Sequence, residues 1–281
     1  MAIDPVLAHA RGLWEELARA PVSFKPTGGV ALVVSPESWM CPPGWVGVVL
    51  LGGSAIVAAP SRAAAAQIEE AFSGMPTEAL VDAESIGAIL PVAQVLGPAT
   101  LGYLGKHDFR PTQAELPVDV LSAGHPELRR LENSAGDDDS GEAGLDEISS
   151  PAFVIRADGE VVAASGYRLW PQRTAHLSVL TEPGWRGQGL GRAAASHAVT
   201  HALTAGLLPQ WRARPVESCR VAAALGFREY GAQLSFKLAK LPGLAAQGFS
   251  TEPFQPRNAV IRWRRERASR PWAAACSAGV P

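Results

Sequence analysis

Cysteine is scarce in this 281-residue sequence, and its scarcity excludes two kinds of site. The three cysteines, Cys41, Cys219 and Cys276, are odd in number and far apart, and no C-x-x-C pair occurs. Neither a disulfide framework nor a structural zinc site is therefore indicated, and no metal site is expected. A reducing compartment fits this cysteine usage best.

Long apolar runs and a strong net charge are also missing. The longest apolar stretch, residues 45–60, is too short to span a bilayer and is interrupted by Gly52-Gly53, which favours a buried β-hairpin. The net charge of −2 gives no electrostatic reason to expect nucleic acid or membrane as a partner. The first residues lack a basic segment followed by an apolar one, so no signal peptide is indicated. We expect a soluble, cytoplasmic protein.

Enough apolar material is present for a packed core, because 47% of the residues are hydrophobic and only 19% are charged. Residues 1–112 carry no catalytic motif and are predicted to form a smaller N-terminal α/β module. Its predicted elements are a helix over about 4–19, strands near 29–35 and 46–59, a helix capped by Ser61, and a helix over 84–105 broken by Pro91 and Pro98.

A second domain is predicted over residues 113–240. After a strand and a short helix, the acidic stretch 136–150 is expected to form a loop or a short exposed helix. Residues 152–181 then read as three antiparallel strands, with Asp158-Gly159 at the first turn. A helix over 189–205, a strand, a second helix ending at Gly226 and a final strand follow. The tail, 241–281, is predicted to be a flexible, arginine-rich extension.

Between the third strand and the helix stands the stretch "GWRGQGLGR", residues 184–192. It is not a P-loop, because Leu190 occupies the lysine position, and not a dinucleotide fingerprint, because Arg192 replaces the third glycine. The remaining pattern, R-x-x-G-x-G at a strand-to-helix junction, leaves the first helical amides uncovered. A pyrophosphate can bind to such amides, with Arg186 and Arg192 adding charge-assisted hydrogen bonds.

With these residues the sequence resembles the GNAT acetyltransferase superfamily. Arg186, Gly189 and Gly191 match its acetyl-CoA signature, [QR]-x-x-G-x-[GA], and Pro183 matches the proline that precedes it, whereas Thr181 replaces the usual valine. The later segment "SCRVAAALGF", 218–227, resembles the ending of the family's fourth helix. Residues 113–240 share the element order, and the chain as a whole resembles bacterial members with an N-terminal extension.

The resemblance implies a GNAT fold of the α/β (α+β) class, with a mixed, mostly antiparallel central sheet flanked by helices. It implies acetyl transfer from acetyl-CoA, as co-substrate, to an amine by direct attack in a ternary complex. The backbone of Val179, Leu180 and Thr181 would pair with the pantetheine arm. The pyrophosphate would be held by Arg186, Gly187, Gln188, Gly189, Leu190, Gly191 and Arg192.

Three polar positions that are common in the family are changed here, to Gln210, Pro215 and Ala222. The acid–base residues are therefore open, and the candidates are Glu142, His176 and Ser218, with Cys219, Tyr167 and Tyr230 as further substitutes. A structural role for His176 and helix packing for His197 and His201 are the competing interpretations. The same changes motivate an alternative function, a non-catalytic acyl-CoA-binding or sensor protein.

The expected partners are a CoA thioester and an amine acceptor, with a small molecule favoured over a protein. The acids at 137–139 and Glu142 are a hypothetical attraction site for a cationic amine. No nucleic acid is expected, although the tail arginines motivate a third hypothesis, an interaction protein that acts through the tail or the N-terminal module. The predicted oligomeric state is a monomer or homodimer.

Overall fold

The computed structural model describes residues 4–112 and 116–239, where helices and strands alternate along the chain. The helices are α1 (Pro5–Leu17), α2 (Arg62–Ala71), α3 (Ala83–Ile89), α4 (Pro126–Ala135), α5 (Asp137–Ala143), α6 (Leu190–Thr204) and α7 (Val216–Ala224). The strands are β1 (Gly29–Val34), β2 (Val46–Leu51), β3 (Ser54–Ala59), β4 (Val92–Tyr103), β5 (Val118–Leu121), β6 (Ala152–Ala157), β7 (Glu160–Trp170), β8 (Thr174–Thr181), β9 (Leu208–Ala213) and β10 (Arg228–Leu238). Among the described helices, none has the length and apolar character that crossing a bilayer requires.

The described residues pack as two units. The large unit consists of residues 4–13, 99–112 and 116–232, and the small unit of residues 14–98 and 233–239. The domains predicted from the sequence, residues 1–112 and 113–240, stay a prediction. The tail 241–281 lies outside the described residues.

A mixed, mostly antiparallel sheet forms the centre of the large unit, as the sequence predicted. Its strand order is β4-β9-β8-β7-β6-β5. The neighbouring strands pair antiparallel except for β8 and β9, which run parallel. The two predicted turns that connect β6, β7 and β8 contain residues with positive φ, among them Asp158 and Gln172.

Alternate residues of β8 pack against different layers, because side chains in a strand alternate between its faces. Leu177 and Val179 belong to the core beneath the alanine-rich helix α6, together with Trp211 of β9. Leu180 instead joins the core with Leu128 of α4 on the opposite face. Helices α6 and α7 therefore cover one face of the sheet, and α4 with α5 covers the other.

The small unit is built on the predicted β2–β3 hairpin, which turns at Gly52-Gly53, with β1 parallel to β3. Every residue of β2 and β3 is buried, as expected for strands covered on both faces. Helix α2 begins at the predicted cap, where the Ser61 side chain accepts a hydrogen bond from the Ala64 amide at 3.2 Å. Its Ile68 packs into a core with Leu80 and Phe236.

One predicted helix is wrong. Helix α3 ends at Ile89, and the segment from Val92 to Tyr103 is the strand β4, rather than the continuation of a broken helix. Pro91 cannot continue a helix, because it lacks an amide hydrogen and clashes with the preceding turn. Beyond it the chain gains strand pairing instead, since Thr100–Tyr103 pairs with β9 more than a hundred residues later.

Candidate functional site

Strands β8 and β9 pair over only part of their length. The register joins Thr174 with Leu208, Ala175 with Pro209, and His176 with Gln210, and it ends there. On its other side β8 continues to pair with β7 as far as Thr181. Residues 177–181 of β8 therefore have one edge that no described strand covers.

The predicted pantetheine-binding residues lie on this open edge. Val179, Leu180 and Thr181 pair with Ser165, Ala164 and Ala163 of β7, so half of their backbone groups point away from β7. An extended ligand can add to such an edge as an extra strand. The structure places these residues together, and their contact with a ligand stays a prediction.

The open edge leads directly into the glycine-rich loop. The loop passes through a 3-10 turn at Pro183–Trp185, and Gly187 and Gly189 then adopt left-handed φ values of 80° and 78°. Residues that carry a side chain rarely adopt this conformation, which explains why glycine occupies both positions. Gly189 caps the 15-residue helix α6 without any side-chain hydrogen bond. The first amides of α6 therefore face an exposed loop with the positive end of the helix dipole.

Gly191 determines how closely α6 approaches β8. A Cβ atom at this position would lie 2.6 Å from Thr181 Oγ1 and 3.4 Å from Val179 Cγ1. Since contacts this short are not tolerated, glycine at position 191 lets the helix terminus stay this close to the open strand edge while Thr181 keeps its side chain in place. The third glycine is needed for proximity, whereas the first two are needed for their φ angles.

The two arginines of the stretch are both exposed, and Arg186 has partners. Its Nε donates to the Thr181 carbonyl at 3.2 Å, and its guanidinium forms an ion pair with Asp139 of α5 at 2.6 Å. Both side chains of this pair are almost half exposed, so the pair is worth about 0.2–1 kcal/mol. A phosphate that approaches the loop can compete with Asp139 for Arg186.

Helix α5, from the acidic stretch, forms ion pairs with residues that follow both diverging strands. Asp139 pairs with Arg186 beyond the end of β8, and Glu142 pairs with Arg214 just after β9. The Gly144 carbonyl, which follows the helix, accepts a hydrogen bond from Ser178 of β8 at 3.2 Å. Two of the acids proposed to attract an amine, Asp139 and Glu142, are thus paired with arginines.

His176 occupies the last paired position before the strands diverge. Its Nδ1 lies 2.6 Å from Gln210 Oε1, and its ring stacks on Trp170 with centroids 4.1 Å apart and planes 12° apart. Desolvation, followed by the positive charges of Arg212 and Arg168, lowers the pKa of His176 to about 3. The imidazole is therefore neutral near pH 7, although part of the residue is accessible to solvent.

Charged side chains surround this histidine. Arg168, directly opposite His176 on β7, forms an ion pair with Glu147 at 2.7 Å. Burial lowers the pKa of Arg212 to about 10, an effect that the charge of Glu147 partly opposes. Burial also lowers the pKa of Arg214.

The candidate catalytic residues do not form one cluster. His176 and Ser178 share a face of β8, and α5 with Glu142 packs on that face. Ser218 belongs to the opposite face, where its Oγ accepts a hydrogen bond from Trp211 Nε1 at 3.0 Å. Their catalytic roles stay predictions.

The further substitutes lie elsewhere in the large unit. The Tyr167 hydroxyl contacts His201 Nδ1 at 2.9 Å beneath α6, and Cys219 packs at the edge of the same core. Tyr230 donates to Asp4 at 2.9 Å, and burial with this hydrogen bond raises its pKa to about 12.

Sequence reasoning treated Gln210 only as a lost acidic group and did not identify Arg212 and Arg214 as residues of this site. A signal for all three was present, because they stand at alternate positions of "QWRAR" and therefore share one face of a buried strand. Their partnership with His176 depends on strand pairing across 34 residues, which the local pattern does not reveal.

Comparisons with known proteins agree with this geometry. Residues 150–232 match the family model of GNAT acetyltransferases, a range that contains the diverging strands and the glycine-rich loop. No curated protein matches the chain.

Several solved structures resemble part of the chain. A GNAT-family protein from Novosphingobium aromaticivorans is 21% identical over 53% of this chain and 67% of its own, with a TM-score of 0.43. An acetyltransferase of the GNAT family from Colwellia psychrerythraea is 19% identical over 53% of this chain and 59% of its own, with a TM-score of 0.39. A GCN5-related N-acetyltransferase from Kribbella flavida is 20% identical over 57% of this chain and 63% of its own, with a TM-score of 0.41. The match to the last two thus spans less than two thirds of their length, and the family assignment relies on residues 150–232.

Proposed function

The chain belongs to the GNAT superfamily through residues 150–232, and from that premise we propose that it transfers an acetyl group from acetyl-CoA to the amine of a small acceptor. The family and the fold support acyl transfer in general. Acetyl-CoA as donor, the amine as acceptor and a cytoplasmic location are the finer parts of the proposal.

One observation carries the proposal: the uncovered edge of β8 leads through a glycine-rich loop to the uncapped N-terminus of α6. This arrangement suits a ligand with an extended amide-containing arm and a pyrophosphate at one end, which is the chemistry of CoA. The backbone of Val179, Leu180 and Thr181 would pair with the arm. The amides of residues 187–192 would receive the pyrophosphate, because they combine free N–H groups with the helix dipole.

In the proposed reaction the amine nitrogen attacks the acetyl carbonyl carbon. A C–N bond forms, the C–S bond breaks, and the thiolate leaves as the amine loses a proton. The attacking amine must be neutral, since an ammonium ion has no lone pair. His176 is neutral at the same pH, so one of its ring nitrogens can accept a hydrogen bond from the amine and orient the lone pair. Because its pKa is low, His176 would not hold the proton that the amine loses. That proton would pass to water instead.

The direct test is acetyl transfer to an amine panel, followed by release of the CoA thiol. The panel contains an alkyl amine, a free amino acid, an aminoglycoside and a peptide with a free N-terminus. We expect turnover with at least one small amine and identification of its N-acetyl product by mass spectrometry. Absence of both turnover and acetyl-CoA binding would overturn the proposal.

Binding can be tested without knowing the acceptor. Arg186→Ala and Arg192→Ala should each weaken acetyl-CoA binding about tenfold in calorimetric titrations, because each removes a charge-assisted hydrogen bond to phosphate. Arg129→Ala, at an exposed position of α4, is the matched control and should bind like the unmodified chain. Unchanged affinity in both loop variants would contradict the assignment of the loop.

The alternative is an acyl-CoA-binding or sensor protein without catalytic activity. It is favoured by the engagement of Glu142 with Arg214 and by the low proton affinity of His176. In that case acetyl-CoA would bind with a loop-dependent affinity, but no thiol would be released with any amine.

A further inference from the structure

We infer that Gln210 is a positioning residue that keeps His176 in one tautomer, with its Nε2 lone pair available where β8 and β9 diverge. The inference rests on the proposed function in one respect, the proposal that this lone pair accepts a hydrogen bond from the amine. The hydrogen bond and the stacked tryptophan are observed in the structure, and the tautomer is inferred from them.

The hydrogen bond fixes the tautomer by simple chemistry. The Gln210 atom that faces His176 Nδ1, at 2.6 Å, is the amide oxygen, which has no proton to donate. With the amide in this orientation, Nδ1 carries the hydrogen. In a neutral imidazole the other nitrogen, Nε2, then holds the lone pair.

The geometry also restricts how far the pair can move. His176 and Gln210 are cross-strand neighbours at the last position of the parallel register, and the Gln210 side chain is 0% exposed. Trp170 stacks against the imidazole and limits its rotation. The pair is thus held in place at the end of strand pairing, and the edge of β8 beyond it is open.

The amide of Gln210 carries a feature that packing alone does not explain. Its Nε2 group is buried and has no hydrogen-bond partner among the described residues. An unpaired buried donor is unfavourable, and an apolar side chain of similar size would avoid it. The hydrogen bond that the amide oxygen accepts from His176 offsets part of this cost.

A neutral partner at position 210 also keeps the imidazole uncharged. The charged groups that influence His176 are Arg168 from β7 and Arg212 from β9, with Glu147 near both arginines. A carboxylate in place of the amide would stabilise the imidazolium and raise the pKa of His176 by about 1–3 units. The Gln210 amide orients the His176 imidazole and leaves it neutral.

The first test reads the tautomer directly and needs no turnover. Imidazole carbon and nitrogen chemical shifts are measured on histidine-labelled protein, and the His176→Ala variant identifies the signals of His176 among the six histidines. We expect a neutral Nδ1–H tautomer between pH 5 and 8. In Gln210→Leu this tautomer should be lost, and in Gln210→Glu the ring should titrate at a pH about 1–3 units higher.

The second test measures kinetics with the acceptor that gives turnover. Gln210→Leu should lower kcat about tenfold or more, with an unchanged KM for acetyl-CoA and no further loss when it is combined with His176→Ala. Gln210→Glu should retain activity and gain an inflection on the acidic limb of its pH–rate profile. Gln94→Glu, at an exposed position of β4, is the control for the added charge and should leave the profile unchanged.

The outcomes separate the inference from the proposed function. An Nε2–H tautomer in the unmodified chain, or independent and additive kinetic effects of the two residues, would overturn the inference even if acetyl transfer occurs. The expected spectra without any acetyl transfer would support the positioning role and count against the proposed reaction. Thermal melting of each variant shows whether a lost tautomer reflects a lost fold.

Discussion

At the scale of single residues, the distance between α6 and β8 depends on two residues, Gly191 and Thr181. Gly191 has no Cβ, and Thr181 Oγ1 occupies the space where that Cβ would lie. The helix terminus and the open strand edge are the two parts that the proposed ligand would bridge. Small changes in their separation should therefore alter ligand affinity without any change in charge.

We predict that Gly191→Ala weakens acetyl-CoA binding about tenfold, because its Cβ would lie 2.6 Å from Thr181 Oγ1 and push the helix away. Thr181→Ala removes that oxygen, and its own Cβ is 4.0 Å from the new methyl group. The double variant should thus recover most of the affinity in calorimetric titrations. Gly191→Ala with Thr181→Ser retains the oxygen and should not recover; equal recovery by both would show that crowding is not the cause.

The residues of this region differ in how well the sequence predicts them. Gly187, Gly189 and Gly191 lie within one short stretch, so the turn into α6 could be predicted from local spacing, whereas their contact with a ligand stays a prediction. His176 was identified only as one candidate among several, because its partners Trp170 and Gln210 come from different strands. Which side chains meet across a sheet depends on register, and register is a property of the whole fold.

At the scale of elements, α5 links the two strands that diverge. Its Asp139 holds Arg186, and its Glu142 holds Arg214. The sequence predicted a loop or a short exposed helix here, and the structure has a short helix that is exposed only at its first two residues. Its ion pairs with Arg186 and Arg214 could not be predicted from the local sequence, because they depend on where the ends of β8 and β9 lie in the fold.

We predict that Asp139→Asn tightens acetyl-CoA binding about two- to fivefold. The variant releases Arg186 from an exposed ion pair worth about 0.2–1 kcal/mol, so that the guanidinium is available to the pyrophosphate. Calorimetric titration at low and high salt measures the effect, which should shrink as salt screens the pair. Asp138→Asn alters a neighbouring exposed acid on the same helix and is the control. A similar gain in both variants would indicate a general charge effect instead.

Strand β4 shows where prediction of an element fails. Its residues mix Ala, Leu and Gly with two valines, a composition without a clear period, and the helix assignment followed from the preceding helical segment. The partner that makes it a strand is β9, which comes more than a hundred residues later. By contrast, the β6–β7–β8 meander was predicted correctly, because its turns and pairings are local.

At the scale of the whole molecule, His176 links folding to pH. Its pKa is about 3 in the folded chain, below the ordinary value of 6.5, so the unfolded chain binds the proton more readily. Stability contributed by the neutral ring is therefore present above pH 6.5 and is lost as the pH falls from 6.5 towards 3.

We predict that the melting temperature falls between pH 7.5 and 4.5, and that His176→Asn reduces this fall. Through this group, each pH unit below 6.5 lowers the free energy of unfolding by at most about 1.4 kcal/mol. The decrease is smaller than this limit because the residue is partly accessible to solvent. Thermal melts across this pH range measure the slope. His107→Asn, at an exposed position in the turn Lys106–Asp108, is the control and should keep the original slope. Equal slopes in all three proteins would rule out His176 as the cause.

The open edge of β8 has a consequence beyond ligand binding. Unpaired strand edges are templates on which other chains assemble, and proteins commonly shield them with charges or a covering segment. Here ion pairs hold α5 beside the ends of both diverging strands. The acidic side chains of α5 are either exposed or paired with arginines. A bound thioester arm would complete the hydrogen bonding of the same edge. If the proposed ligand binds there, it takes the place of a missing strand, and saturating ligand should slow aggregation of the purified protein on heating.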